Sequence, residues 1–333
     1  MVRFLTLFSL AVVVLTLASG AVAGFSIDDY PKPKKLVSIY HPRVQQWLKE
    51  IDLTGAPDIP LGPVDPTNCT TRPTLPAKED CNSACDGCTD DDVIACQLPN
   101  TWGLTFDDGP RNTTEPLLDF LKTHNLKATF FVMGSNAVQF PEVLRREVAE
   151  GHHLASHTWS HHALTTLTNE EIVAEMKWTE QAIFDITGIR PKYMRAPYGD
   201  MDARVRFVLR KLGLIPVGWE DDFDTKDWNK HMSDAEVVST FTGALDKYVA
   251  GNKTKGFYCL EHDMDDEVVN RAYKLVPLGW ERKIEYATVA QCQKDSHPYQ
   301  DASMMRPSQG VVLASTWLTL AAAAVATFTA VFV

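Results

Sequence analysis

The chain has 333 residues, a formal net charge of −11 and 45% hydrophobic residues. This length and apolar content are those of a globular protein with a substantial core, and they exclude a mostly disordered chain. The acidic balance, with a pI near 5.4, argues against nucleic acid or an anionic sugar polymer as the partner, because both bind basic surfaces. A neutral polymer, or one that becomes cationic, remains compatible with it.

The first 23 residues predict a signal peptide. Arg3 precedes an apolar run at residues 4–18, which is too short to span a bilayer comfortably, and Ala21-Val22-Ala23 supplies a cleavage site of small residues. We expect cleavage before Gly24 and secretion through the ER. The alternative is an uncleaved membrane anchor.

The opposite end of the sequence predicts a GPI anchor. Residues 311–333 are apolar and uncharged, and a polar spacer separates them from three small residues upstream. Asp301 is the first choice of attachment residue, ahead of Ala302 and Ser303. This order is typical of a GPI-attachment propeptide, here residues 302–333, and a C-terminal transmembrane helix is the alternative. We expect a protein held at the outer face of the plasma membrane and in the cell wall.

The cysteines and the N-glycosylation sequons agree with a secreted protein. The sequons predict surface glycans at Asn68, Asn112 and Asn252. In an oxidising compartment, we expect the cysteines to form disulfides. We predict that Cys96 pairs with Cys292, because these two residues bracket the main domain.

The other five cysteines are harder to assign. Cys259 lies in an apolar run, so we expect it to remain a buried free thiol. The pairing of Cys69, Cys81, Cys85 and Cys88 stays open. The last three have the spacing of a metal knuckle, but no histidine follows at the distance that a zinc finger requires.

The composition and hydrophobic pattern of the sequence change near residue 98. Residues 24–97 are rich in Pro, Asp and Thr, and they predict an extended, disulfide-pinned N-terminal extension with one short helix near 44–51. Residues 98–295 alternate short apolar runs with helical segments and form the predicted catalytic domain, followed by a short linker at 296–301. The runs predicted as strands are 102–106, 128–133, 153–156, 193–195, 214–219, 257–260 and 284–287.

Two helices carry explicit start signals. Thr168-x-x-Glu171 and Ser233-x-x-Glu236 predict capping boxes. Strands that alternate with amphipathic helices predict an α/β fold with parallel strands, here a distorted (β/α) barrel of seven to eight strands. No G-x-G-x-x-G follows the first strand, which argues against a dinucleotide-binding sheet.

Polar residues collect after the strands, at the edge where barrel enzymes build their sites. Asp107 and Asp108 follow the first strand, and adjacent carboxylates there are costly unless a cation or a catalytic role favours them. His157 and His161 follow the third strand, at a spacing that lets both rings reach one ion. With Asp108 they form the ligand composition of a catalytic zinc site. The alternatives are a solvated turn and bystander histidines.

Three further clusters follow later strands: Arg195-Ala196-Pro197-Tyr198-Gly199, Asp224-Thr225-Lys226-Asp227-Trp228 and Leu260-Glu261-His262-Asp263. Together with the Asp pair and the His pair, they resemble the five ordered motifs of the polysaccharide deacetylases, carbohydrate esterase family four. The resemblance covers about residues 98–295 and implies that family's barrel. With the terminal signals and the sequons, the likeness is to the GPI-anchored chitin deacetylases of fungi.

The resemblance implies a metal site and a base. Asp108, His157 and His161 would hold Zn²⁺, with Co²⁺ or another divalent ion as the alternative. Asp107 would accept a proton from the attacking water. Arg195 would pair with Asp107 and keep it ionised.

The resemblance also implies an acid and a substrate-binding wall. His262 would protonate the departing amine, and Asp227 would hold it and favour its charged form. The backbone N–H of Tyr198 would donate to the oxyanion. Trp228 would offer a flat wall to a sugar ring, and Leu260 a pocket for the acetyl methyl.

These roles together imply a chitin deacetylase, which hydrolyses the N-acetyl groups of N-acetylglucosamine units and yields chitosan and acetate. We expect a monomer. One alternative is an O-acetyl esterase acting on xylan or another polysaccharide. Asp227 and His262 favour the amide, because an amine leaving group needs an acid. A second alternative is a non-catalytic wall-binding module, which would have no use for the metal ligands and both proton carriers.

Overall fold

The computed structural model describes residues 26–63, 65, 69, 82–88, 92–251 and 253–300. The predicted signal peptide, the predicted GPI segment with Asp301, and the sequon residues Asn68 and Asn252 lie outside these ranges. Within them, every helix is too short or too polar to serve as a membrane span.

The described chain alternates short strands with helices. The strands are β1 (Thr101–Gly103), β2 (Thr105–Asp107), β3 (Thr129–Val132), β4 (His153–Ser156), β5 (Tyr193–Met194), β6 (Ile215–Pro216), β7 (Phe257–Tyr258) and β8 (Glu285–Ala287). The helices are α1 (Pro42–Glu50), α2 (Ser83–Asp86), α3 (Thr114–Thr123), α4 (Gly134–Ala137), α5 (Pro141–Ala149), α6 (Asn169–Thr187), α7 (Ala203–Lys211), α8 (Asp234–Ala250), α9 (Asp266–Glu281) and α10 (Val289–Cys292).

The strands form two sheets, ordered β7-β1-β8 and β2-β3-β4-β5-β6, and all paired strands are parallel. The α/β class with eight strands is as predicted from the sequence. The described strands do not close into one continuous barrel. Strands β5, β6 and β7 have only two residues each, so the sheets are shorter than the apolar runs that predicted them.

The first predicted strand, 102–106, is in fact two strands, one in each sheet. The change occurs at Leu104, whose N–H donates to the carbonyl of Ala287 at 3.0 Å, while its own carbonyl accepts from the N–H of Thr129 at 2.9 Å. Leu104 therefore bonds to β8 on one side and β3 on the other. Hydrophobicity alone predicted one strand, because all of these residues are buried.

The two sheets meet again where their strands end. The N–H of Asp107 donates to the carbonyl of Glu261, and the N–H of Asp263 donates to the carbonyl of Asp107, both at 3.0 Å. A second bridge joins Asp224 to Leu260. The segments that follow β2, β6 and β7 therefore converge at one edge, which brings distant parts of the sequence to one site.

The two capping boxes predicted from the sequence are present. Thr168 and Ser233 both form complete capping boxes, with Glu171 and Glu236 respectively. Helix α6 ends at Gly188, whose φ of 76° is in the left-handed region that glycine adopts without penalty.

The N-terminal extension packs closely onto the main domain. Val44 and Trp47 of α1 are buried in the main core, and Trp47 packs edge-to-face on Trp178 of α6 at 5.3 Å. Tyr30 stacks on Trp159 at 6.1 Å. The short helix predicted near 44–51 is α1, but the segment around it is a packed layer and not the extended leader that its composition indicated.

The predicted bond between Cys96 and Cys292 is present and joins residues 196 positions apart. Cys69 pairs with Cys85 and Cys88 is also disulfide-bonded, so these thiols are not metal ligands. Cys259 is free and buried, as predicted.

Candidate active site

Three side chains that could hold a metal ion lie together beyond β2 and β4. One ligand atom from each of Asp108, His157 and His161 lies within 4.8 Å of the others. The Oδ1 atom of Asp108 is 3.3 Å from Nε2 of His157 and 3.1 Å from Nε2 of His161. The structure therefore brings the three predicted ligands to one point.

The hydrogen bonding of His157 fits a metal ligand. Its Nδ1 lies 2.8 Å from the carbonyl oxygen of Arg195, and a carbonyl only accepts, so Nδ1 carries the proton. In the neutral ring, Nε2 then points a lone pair at Asp108, whose buried Oδ1 has no hydrogen bond of good geometry. Two lone pairs in contact are stabilised by a cation between them. The nitrogen and oxygen donors suit a divalent ion, and the ordered Nδ1–H is the usual support for such a ligand.

The backbone around the site is strained. Asp108, Thr158, His161 and Tyr198 have φ values of 81°, 65°, 63° and 61°. Non-glycine residues rarely adopt this left-handed region, at a cost of ~1–3 kcal/mol each. Such conformations persist only where neighbouring groups hold them.

The segment between the two histidines is held from α6. The buried carboxylate of Glu175 accepts hydrogen bonds from the N–H of Trp159 at 3.0 Å, the N–H of Ser160 at 2.7 Å and the hydroxyl of Ser160 at 2.8 Å. Burial raises the pKa of Glu175 to about 7, although these hydrogen bonds act in the opposite direction. Glu175 is therefore the anchor of the His157–His161 loop.

The loop that carries Asp108 is held from the end of β3. Asn136 donates its side-chain N–H to the carbonyl of Asp108 at 2.7 Å. The N–H of Gly134 donates to the carbonyl of Thr158 at 2.9 Å. A Cβ at Gly134 would lie only 2.7 Å from the Trp159 ring, so the close approach requires glycine. One short segment thus positions both ligand loops.

Asp107 lies next to the ligands and is almost fully buried. Its Oδ1 accepts a hydrogen bond from Nη1 of Arg195 at 2.9 Å. Arg195 also donates to the hydroxyl of Thr105 at 3.0 Å and to the carbonyl of Val217 at 3.3 Å. The guanidinium is therefore fixed in place, and the ion pair predicted between Arg195 and Asp107 is present.

His262 is paired with Asp227, also as predicted. Its Nδ1 is 2.7 Å from Oδ1 of Asp227, and its backbone N–H donates to Oδ2 at 2.8 Å. Burial lowers the pKa of His262, but the charge and hydrogen bond of Asp227 outweigh burial and raise it to about 10. Buried Arg271 donates to the carbonyls of Asp227 at 2.6 Å and Asn229 at 3.0 Å, which holds this loop.

The predicted sugar-contacting residues differ in exposure. Tyr198 is 50% exposed and Trp228 is 44% exposed, so both rings are accessible to a ligand, whereas Leu260 is only 7% exposed. The Tyr198 ring meets His161 edge-to-face at 4.8 Å. Asn112, the predicted glycan site nearest to Asp107 in the sequence, is exposed.

The comparisons with known proteins give the family. The family model for polysaccharide deacetylase matches residues 95–217. Chitin deacetylase 1 of Saccharomyces cerevisiae is 37% identical over 266 residues, which cover 75% of this chain and 84% of that protein. The chain belongs to the polysaccharide deacetylase family.

Two further relatives of this polysaccharide deacetylase agree. Chitin deacetylase 1 of Cryptococcus neoformans is 40% identical over 264 residues, 75% of this chain, but the match spans only 55% of that longer protein. The structure of the chitin deacetylase from Colletotrichum lindemuthianum superposes with a TM-score of 0.58 at 32% identity, covering 62% of this chain and 94% of that one.

Sequence reasoning missed residues that hold the candidate site together. Glu175 had a visible signal, because it is a single acid within the buried apolar run 172–176. Asp263 follows His262 and is buried, where it accepts a hydrogen bond from the hydroxyl of Thr114 at 2.5 Å. Burial raises the pKa of Asp263 to about 7. The shared feature is a buried acid, which the sequence marks only for Glu175.

Replacing Glu175 with glutamine is expected to weaken binding of a divalent metal ion by about 10- to 100-fold, as for other groups that orient metal ligands. Glutamine offers one acceptor where two backbone N–H groups and a hydroxyl need partners. Chelator competition measures the affinity, and thermal unfolding of the metal-free protein measures stability separately. Glu180→Gln is the matched control, because Glu180 is a buried acid of the same helix that pairs with Lys177 and Arg190 instead. Equal losses of metal affinity in both variants would contradict the role of Glu175.

Proposed function

We propose that this polysaccharide deacetylase hydrolyses the N-acetyl groups of N-acetylglucosamine units in chitin and releases acetate, leaving chitosan. One observation carries the proposal: a buried carboxylate and an imidazole hydrogen-bonded to a second carboxylate lie at the same edge as the three ligand side chains. Asp107, which pairs with Arg195, is the group that accepts a proton, and His262, which pairs with Asp227, is the group that donates one. The relatives named as chitin deacetylases support the choice of substrate.

The residues present fit a divalent cation held by Asp108, His157 and His161. When bound, the cation supplies a Lewis acid that polarises the acetamide carbonyl and makes water a better nucleophile. Nη1 of Arg195 donates a hydrogen bond to Oδ1 of Asp107. The other oxygen, Oδ2, therefore accepts the proton of the attacking water. The backbone N–H of Tyr198 donates to the carbonyl oxygen as negative charge develops there.

The leaving nitrogen needs a proton, because an amide anion is too basic to depart at neutral pH. Nδ1 of His262 is hydrogen-bonded to Asp227. The Nε2–H of the imidazolium is therefore the group that donates a proton to the leaving nitrogen. The pKa of His262, raised to about 10, keeps this proton in place before the reaction. An ester needs such an acid much less, and this favours an N-acetyl over an O-acetyl substrate.

Acetate release from chitin oligomers, with chelation and zinc add-back, is the test. We expect release by the purified protein, loss with a chelator and recovery with zinc. Faster release from acetylated xylan than from chitin oligomers would favour the esterase instead. No release from either substrate by the zinc-loaded protein would leave a wall-binding module.

We propose Zn²⁺ as the ion, because two histidines and one carboxylate are a common set for catalytic zinc. Metal analysis of the protein purified without added metal tests this. A stoichiometric content of another divalent ion would contradict it.

We also propose that the protein is secreted, glycosylated and GPI-anchored at the cell surface as a monomer. The support is the terminal sequence signals, the sequons and the disulfides, which form in oxidising compartments. Treatment of intact cells with a phosphatidylinositol-specific phospholipase is expected to release it. Retention after treatment would favour the transmembrane alternative.

A further inference from the structure

The last described segment of the chain, residues 295–300, crosses the end of the molecule opposite to the active site. All paired strands are parallel, so their amino ends lie at one edge and the active-site loops, which follow the strands, lie at the other. We call the edge of the amino ends the basal face and residues 295–300 the C-terminal strap. At the start of β5, Asp295 accepts hydrogen bonds from Nζ of Lys192 and the hydroxyl of Tyr193, both at 2.7 Å.

The C-terminal strap is held on the basal face up to its last residue. The hydroxyl of Tyr299 accepts a hydrogen bond from the N–H of Leu154 in β4 at 3.3 Å. The backbone N–H of Gln300 donates to the carbonyl of Arg190 at 3.0 Å, and its side-chain N–H donates to the carbonyl of Leu212 at 3.2 Å. The segment that the sequence predicted as a linker is therefore docked across the amino ends of β4, β5 and β6.

This docking determines the side of the molecule from which the chain continues. The predicted attachment residue, Asp301, directly follows Gln300 in the sequence. One residue spans at most ~3.6 Å, so a lipid anchor at Asp301 would be joined to the protein at the basal face. The transmembrane alternative, residues 311–333, follows in the sequence from the same docked residue. Under either alternative, the membrane lies on the side of the basal face.

The basal face also carries lysines that suit phosphate groups. Lys127 and Lys283 each stand two residues before a strand, β3 and β8 respectively, and Lys294 directly precedes the C-terminal strap. Each is at least partly exposed and forms no ion pair within the described ranges. The acids of the same loops pair with other cations: Glu150 with Arg146, Glu281 with Arg282, and Asp295 with Lys192. The exception among the described residues is Glu285, which is exposed at the start of β8.

We propose that the basal face rests on the membrane and that Lys127, Lys283 and Lys294 bind the phosphate groups of anionic lipid headgroups. The inference rests on the proposed anchoring at the cell surface, by a GPI group or by a transmembrane helix. It directs the active site away from the lipid. Residues 101–107 run from the basal face to the catalytic edge, ~20 Å at 3.3 Å per residue, so the reacting groups face the wall polymer.

Binding to lipid vesicles tests the proposal. A chain that ends at Asp301 contains the compact unit, which extends to Gln300, and corresponds to the mature polypeptide without its lipid. We expect it to bind vesicles of phosphatidylinositol and phosphatidylcholine, to ignore vesicles of phosphatidylcholine alone, and to be displaced by salt. Replacing Lys127, Lys283 and Lys294 together with glutamine is expected to weaken this binding about 10²-fold. Thermal unfolding and acetate release are expected to stay unchanged.

The matched control replaces Lys32, Lys34 and Lys35 with glutamine. These lysines are exposed and lie beside the histidine loop, where the indole N–H of Trp159 donates to the carbonyl of Lys32 at 3.4 Å. The change in net charge is the same, and we expect vesicle binding to be unaffected. Equal weakening by the two triple variants would overturn the basal face in favour of a general attraction to positive charge.

Three further outcomes would overturn the lipid contact. They are equal binding to both kinds of vesicle, binding to neither, and binding to a phosphorylated polysaccharide in place of vesicles, which would assign the face to a wall polymer. The predicted glycan at Asn252 precedes Lys253 in the sequence, so the protein is also tested as Asn252→Gln. Binding in that variant alone would overturn the proposal for the glycosylated protein.

Acetate release from chitin oligomers by the same zinc-loaded preparation reports the proposed reaction separately. Absence of release together with lysine-dependent vesicle binding would refute deacetylation and leave the membrane-facing surface supported. Resistance of the anchored protein to the phospholipase, together with the same vesicle binding, would refute the GPI group and support the surface with a transmembrane helix as the anchor.

Discussion

Asp107→Asn is expected to lower kcat/KM for acetate release from chitin oligomers by about 10²–10⁴-fold, the usual contribution of a general base. Asparagine keeps the shape of the side chain and can still accept the hydrogen bond from Arg195. Its amide cannot take a proton from water. Because Asp107 is not one of the three convergent ligands, the variant is expected to bind zinc as tightly as the unmodified protein.

Metal analysis and steady-state kinetics on the same preparation test this prediction, because they separate loss of the metal from loss of catalysis. Asp108→Asn is the comparison, because it alters a ligand and is expected to lose zinc and activity together. Full activity of Asp107→Asn would refute the base. Loss of zinc from Asp107→Asn would show instead that Asp107 is part of the metal site.

Asp227→Asn is expected to move the alkaline limit of activity to lower pH. Asp227 raises the pKa of His262 to about 10 against the opposing effect of burial. Without the Asp227 carboxylate, the largest influence that raises this pKa is lost, and burial moves the pKa down against the weaker effect of Asp107 and Asp108. His262 then loses its proton at a lower pH than in the unmodified protein. At pH 8 we expect a loss of about 10²–10³-fold, with partial recovery as the pH is lowered.

The pH dependence of kcat on chitin oligomers measures this shift. Asp246→Asn is a suitable control, because Asp246 is an exposed acid that pairs with Arg282 in another region. An unchanged alkaline limit in Asp227→Asn would contradict His262 as the acid. A uniform loss at all pH values would mean that Asp227 acts only by positioning.

The reacting groups of the site could be predicted because the reacting side chains within each motif are close together in the sequence. Asp107 and Asp108 are adjacent in the sequence, and His157 and His161 are four residues apart, so each pair is visible without knowledge of the fold. The parallel α/β pattern then placed all of them at the carboxyl ends of strands.

The supporting groups could not be predicted, because their hydrogen-bond partners are distant in the sequence and only the fold brings them together. Glu175 is 15 residues from Ser160, and Arg271 is 44 residues from Asp227. The division at Leu104 was hidden for a related reason, since an apolar run shows that a strand is buried but not which neighbours it has. Composition also misjudged the extension, in which Val37, Val44 and Trp47 are buried in the main core.

The packing of that extension changes where the folding unit begins. Tyr30 stacks on Trp159, which lies between the two histidines in the sequence. Trp47 packs on Trp178, whose ring is 6.3 Å from that of Trp159. A recombinant fragment started at residue 98 would leave these indoles in water and remove the support behind the histidine loop. Expression of the domain should therefore begin upstream of Tyr30, even though Asp107 is the first reacting side chain in the sequence.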